Sequence, residues 1–166
     1  MKKLLIPDMH YESVFSIDIE ILKQNGIEGI IIDIDNTLVA WDTKEADEKA
    51  LNFIKSLQGE NFKICMISNN TKKRVEKFNE ILALPAIHKA GKPKISPFLK
   101  AMKLLQTNQK NTAVIGDQMF TDILGGNRIG LFTILVTPIS PKEFIWTRFM
   151  RKIERFVLKK IVKERM

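Results

Sequence analysis

The sequence predicts an α/β fold in which a parallel sheet carries helices on both faces, in the doubly wound, Rossmann-like manner. Three observations carry that prediction. Short apolar runs rich in β-branched residues recur at 29–32, 63–67, 112–115 and 132–136, with a weaker one at 86–88. Stretches with helical spacing separate them and hairpin signals are few, which is the pattern of βαβ units. The runs end on polar or charged side chains, and in such sheets ligands sit beyond the carboxyl ends of the strands.

Taken in order, a helical stretch at 11–24 precedes the first run, and Gly26 closes it. The run 29–32 leads into Asp33-Ile34-Asp35-Asn36-Thr37. A helix over 44–57 follows, then the run 63–67, which delivers Ser68, Asn69 and Asn70. A helix over 72–82 connects to the weak run 86–88 and to Gly91-Lys92-Pro93. A helix over 97–106 connects to the run 112–115 and to Gly116-Asp117. The last helix spans 120–128, with Gly125-Gly126 expected to end it, and the last run is 132–136.

Composition narrows the class. A chain of 166 residues, 45% hydrophobic and 28% charged, suits one compact domain. It has no run of about 18 uncharged apolar residues, so no membrane-spanning helix is expected. The three apolar residues before Pro7 are too few for a signal peptide. Cys65, the single cysteine, reads as a buried thiol, and the expected location is a reducing cytoplasm. The net charge of +8 is uneven: residues 142–166 hold nine basic residues against three Glu, leaving the rest nearly neutral.

Asp33, Asp35 and Asp117 would meet at one sheet edge. Two like charges 4 Å apart repel by roughly 4 kcal/mol at an effective dielectric near 20, so such a trio calls for a cation. Mg2+ is held by hard oxygens and completes its shell with water and phosphate. One Asp after a strand ordinarily just caps a turn; three converging beside Ser68 and Lys92 call for more. Ser68, the following backbone N–H groups and Lys92 suit a phosphoryl group at a helix N-terminus. Gly91-Lys92-Pro93 is not a phosphate-binding P-loop. His10 and His88 have no ligand partner at useful spacing, and Trp41 either lines the site or packs.

These residues resemble the four ordered motifs of HAD-superfamily phosphatases: Asp33-Ile34-Asp35-Asn36-Thr37, Ser68, Lys92, and Gly116-Asp117-Gln118-Met119-Phe120-Thr121-Asp122. Over essentially the whole chain the sequence is similar to the YqeG family of subfamily IIIA, and to the mitochondrial phosphatase acting on phosphatidylglycerophosphate. The resemblance implies that Asp33 is the nucleophile of an aspartyl-phosphate mechanism and Asp35 the general acid and base. It implies Mg2+ held by Asp33, the Asp35 main-chain carbonyl and Asp117. It gives Ser68, Asn69 and Lys92 the phosphoryl group, with Thr37 and Asp122 in support; Lys94, just after Pro93, departs from the pattern as a second candidate lysine, and Lys92 is preferred.

The segments Thr37–Ser68 and Ser68–Lys92 have no room for a substantial cap domain, so the site is expected to be capless and open. That suits a phosphorylated substrate of some size, and the tail points to lipid. Residues 1–140 read as the phosphatase domain and 141–166 as a basic amphipathic helix with Trp146, Phe149 and Phe156 on its apolar side. That helix either packs on the domain or lies in an anionic membrane surface. A nucleic-acid partner is disfavoured, because no recognisable module accompanies the charge. Two alternatives stay open: a small soluble sugar phosphate or nucleotide as substrate, and a binding module that keeps the fold without turnover.

Overall fold

The structure, a computed structural model, describes residues 2–140. The expected C-terminal helix, and with it the division at residue 141, lies outside the described residues.

Six parallel strands form one sheet: β1 (Met9–Tyr11), β2 (Gly29–Ile32), β3 (Lys63–Ile67), β4 (Ala86–Ile87), β5 (Thr112–Gly116) and β6 (Phe132–Val136). Their order across the sheet is β1-β6-β5-β2-β3-β4. From the central β2 the chain winds outward through β3 and β4, then returns to build β5 and β6 on the other side. The winding direction therefore switches between β2 and β5. Ile32 pairs with Met66 on one side and Ile115 on the other, so the ends of β2, β3 and β5 stand abreast.

Alternation along the strands divides the core. Ile30 and Ile32, Ile64 and Met66, and Ala113 and Ile115 face α1 (Ile19–Gln24), α2 (Glu48–Gly59) and α3 (Lys72–Asn79). Ile31, Cys65, Ile67 and Val114 face Phe98, Ala101, Met102 and Leu105 of α4 (Ser96–Leu105). Both faces are covered, and the strands read as continuous apolar runs for that reason.

Two sequence expectations are corrected. Residues 11–24 are not one helix: β1 occupies Met9–Tyr11 and pairs with β6, and α1 begins only at Ile19, where the Asp18 side chain caps Glu20 N–H. Three residues of sheet edge carry too little periodicity to be read against a neighbouring helix pattern. Nor do Gly125 and Gly126 end a helix. A π-helical turn (Met119–Ile123) runs into α5 (Leu124–Arg128), and both glycines lie inside it. A β-carbon on Gly125 would overlap the Phe98 ring, and one on Gly126 would overlap Val114. The glycines let α5 pack directly against α4 and the sheet. Smaller shifts have local causes: α2 starts late because Asp47 caps Ala50 N–H, and α3 stops early because the Asn79 carboxamide binds the Leu84 backbone both ways.

Gly125→Ala is expected to lower unfolding free energy by about 1–3 kcal/mol in urea titrations, the usual cost of overpacking. Adding Phe98→Leu to that variant should make the two effects less than additive, since the pair shares one volume.

Candidate active site

The carboxylates and the lysine of the site are placed by strand ends or by the connections that follow them. The Asp33 N–H bonds to the Ile115 carbonyl at 3.0 Å, extending the β2–β5 ladder one residue beyond the strand. This sets Asp33 beside Asp117, at the point where the winding switches. Both are buried. The Thr37 hydroxyl stands between them, 3.3 Å from Asp33 Oδ2 and 3.3 Å from Asp117 Oδ1, and its single proton serves one at a time.

Lys92 enters from the β4–α4 connection and is buried as well. Its ammonium lies 2.5 Å from Asp33 Oδ1, 2.6 Å from Asp122 Oδ1 and 3.2 Å from the Ile67 carbonyl, which uses all three protons. Asn69 lines the pocket, but its carboxamide clamps the Lys92 main chain, accepting from Lys92 N at 2.8 Å and donating to Lys92 O at 3.2 Å. Asp122 is carried under β5 by the π-helical turn. Its second oxygen accepts from Gln118 N–H at 3.2 Å. Gly116 makes room for it, because a β-carbon there would overlap the carboxylate.

Asp35 points elsewhere. Its carboxylate accepts from Asn70 Nδ2 at 3.1 Å, lies 3.5 Å from Ser68 Oγ, and forms an ion pair with Arg74 at 2.9 Å. Arg74 also donates to the Lys44 carbonyl, tying α3 to the loop that follows Thr37. Arg74 was not among the residues expected from sequence. A signal was available: Lys72, Lys73 and Arg74 fill the first turn of α3, where the helix dipole disfavours cations and no acidic residue stands. Gln118 and Thr121, also unexpected, line the pocket, whereas Lys94 is exposed and does not. Trp41 does line it, and His88 and His10 do not. The pocket holds about 380 Å³ and opens beyond the strand ends.

The electrostatics follow from burial. Burial pushes the Asp33 carboxyl well above its usual range; Lys92 opposes this, while Asp122 and Asp117 add to it. Burial alone would lower Lys92, yet Asp122 and Asp33 outweigh it and hold the ammonium above its ordinary value. Both shifts express one fact: a single ammonium faces three buried carboxylates. Oxygens of Asp33, Asp117 and Asp122 all lie within 4.8 Å of one another. Asp122 is taken up by Lys92 and Gln118, so Asp33 and Asp117 are the better-placed pair for a hard divalent cation. Away from the site, burial pushes the Cys65 thiol up to about 12, which makes it an inert core group.

A parallel sheet with this strand-end constellation, together with the relatives it matches, defines the class: the protein is a phosphatase, a phosphoric monoester hydrolase. The family model described as mitochondrial PGP phosphatase matches residues 1–140, and the chain belongs to that family. It is 40% identical over 158 residues to "Probable phosphatase YqeG" of Bacillus subtilis, covering 95% of this chain and 92% of that protein. It is 27% identical to phosphatidylglycerophosphate phosphatase 1, chloroplastic/mitochondrial, of Arabidopsis thaliana, covering 96% of this chain and 49% of that one. Among solved structures, the cobalt-bound deoxy-D-mannose-octulosonate 8-phosphate phosphatase of Haemophilus influenzae shares the fold. Its TM-score is 0.59 at 15% identity, with 82% of this chain and 90% of that chain covered. The corresponding Moraxella catarrhalis enzyme, solved with magnesium, phosphate and KDO, gives 0.51 at 18% identity over 60% and 63% of the two chains.

Lys92→Met should leave three buried carboxylates without their ammonium. We expect a loss of about 3–5 kcal/mol in chemical denaturation. Gly116→Ala should displace Asp122 and destabilise less, with Lys92 still facing Asp33.

Proposed function

We propose that this chain is a Mg2+-dependent phosphomonoesterase that works through an aspartyl-phosphate on Asp33, with a phosphatidylglycerophosphate-like lipid head group as substrate. The observation that carries the chemistry is the placement of Asp33: a buried carboxylate at the switch point, between Lys92 and Asp117, at the floor of an open pocket. The lipid assignment is supported by the family to which the chain belongs and by the absence of any inserted domain between Thr37 and Lys92, where only α2, β3, α3 and β4 stand.

In this reading an Asp33 oxygen attacks phosphorus and the ester oxygen leaves as the bond to phosphorus breaks. Asp35 gives that oxygen its proton, then takes one from the water that cleaves the aspartyl-phosphate and releases inorganic phosphate. Lys92 and Ser68, with the N–H groups leading into α3, hold the equatorial oxygens. Mg2+, held by Asp33, Asp117 and the Asp35 main-chain carbonyl, would supply charge neutralisation between the two anions that must meet. Arg74 keeps the Asp35 carboxylate against the pocket wall, and Asp35 must leave that pairing to carry a proton. Residues 1–140 form the catalytic domain in this proposal, and 141–166 a basic appendage.

The test is phosphate release from phosphatidylglycerophosphate in vesicles and from a soluble aryl phosphate. Asp33→Asn should abolish both. Asp35→Asn should slow the lipid substrate by about 10²–10⁴ and the aryl ester by much less, because a good leaving group needs little proton help. Release from the aryl ester alone, with none from the lipid, would sink the lipid assignment and favour a small soluble phosphate. Chelation should stop turnover, Mg2+ should restore it, and Ca2+ should not, given its larger and looser coordination.

A further inference from the structure

The near-neutral charge of the body conceals a strong polarity. Residues 2–80 carry 14 acidic and 11 basic side chains. From Ile81 to Ser140 the only carboxylates are Asp117 and Asp122, both buried in the site. The same stretch holds Lys89, Lys94, Lys100, Lys103, Lys110 and Arg128, all exposed. None of these six ion-pairs with a described carboxylate, whereas Lys23, Lys72, Arg74 and Lys77 of the first half all do. In space the second half supplies α4 and α5, which cover one face of the sheet, while α1, α2 and α3 cover the other. The exposed charges that α4, α5 and their flanking loops bring to their face are thus all positive, and Asp8, held on Thr133 beside Asn127, is an acid at the margin of that face.

The outer side of α4 is also apolar in an unusual way. Pro97, Phe98, Ala101, Met102 and Leu105 point inward. The outward arc holds Lys100 and Lys103 together with Ile95, Leu99 and Leu104, which are 42%, 44% and 49% exposed. Aliphatic side chains between lysines, on a convex helix, suit a surface that accepts both: hydrocarbon below, anionic head groups around. A nucleic acid would be met by arginine forks, aromatic platforms or a groove, and this arc has none of them. A helix joining parallel strands β4 and β5 must start at their carboxyl-end edge, so α4 begins at the same edge as the pocket, with Ile95 three residues beyond the pocket-lining Lys92.

We propose that the α4–α5 face is a docking surface for an anionic lipid bilayer, separate from any contribution of residues 141–166. The inference rests on the lipid reading given above, because it is a bilayer-borne substrate that requires the pocket rim to sit on a membrane. Each lysine brought to such a surface strengthens partitioning about fivefold.

The experiment uses the full chain with vesicles of phosphatidylcholine, alone or with about a third phosphatidylglycerol, read by co-sedimentation. Lys100→Glu/Lys103→Glu is compared with Lys55→Glu/Lys63→Glu, which makes the same charge change in α2 and β3. The wild type should bind the anionic vesicles and leave the neutral ones. The α4 pair should lose tenfold or more in partitioning, the control pair less than twofold, and all should hydrolyse a soluble aryl phosphate alike. Equal losses in both pairs would mean that net charge alone acts, and no loss in the α4 pair would place binding elsewhere; either overturns the proposal. So would absence of wild-type binding, or equally tight binding to heparin. Vesicle binding of the expected pattern without lipid turnover would uphold the face and refute the lipid substrate.

Discussion

One buried ammonium set among three buried carboxylates is the constraint on which the rest of this structure turns. Lys92 reaches Asp33 and Asp122 directly, and Asp117 stands across the Thr37 hydroxyl from Asp33. Such an arrangement is unfavourable for folding, because charges must leave water and one positive charge cannot balance three negative ones. It persists because the surrounding sheet over-determines it. The excess of negative charge is what a divalent cation would offset, so the same imbalance that burdens the fold equips the site.

Much of the surrounding structure holds that cluster in place. The β2–β5 ladder runs one bond past the strand to set Asp33, and the Asn69 carboxamide binds both the N–H and the carbonyl of Lys92. Gly116 lets Asp122 lie flat under the sheet edge, and the π-helical turn brings it there. Gly125 and Gly126 allow α5 to sit tightly on Phe98 and Val114, which in turn fixes the turn above. These are packing solutions whose purpose becomes visible only at the site several residues away.

Among the described residues nothing is inserted over the pocket, and its surroundings differ by direction. Toward α3 stand Asp35, Asn70 and Arg74, a polar wall that joins helix, strand end and the loop after Thr37. Toward α4 the rim passes into a lysine-bearing helix with exposed aliphatic residues and no acid. A substrate approaching this edge meets a polar wall on one side and a positively charged, partly aliphatic helix on the other. Charge polarity between two faces of one sheet is invisible in a net charge.

The amino-acid sequence by itself determined the parallel α/β class, five of the six strands, and the order in which Asp33, Ser68, Lys92 and Asp117 arrive at one edge. It could do so because buried parallel strands are apolar on both faces and because a strand end delivers its next residue to a predictable place. Tertiary structure alone decided the rest. The three-residue β1 exists through pairing with β6, since a strand so short has no periodicity of its own. Gly125 and Gly126 read locally as a helix end, yet contact with Phe98 and Val114 keeps them inside one. Asp35 and Arg74, 39 positions apart in the chain, meet only because β2 and α3 converge on the same edge. Local residue type fixes what a segment can become, whereas which charge faces which partner depends on contacts between segments that the linear order does not contain.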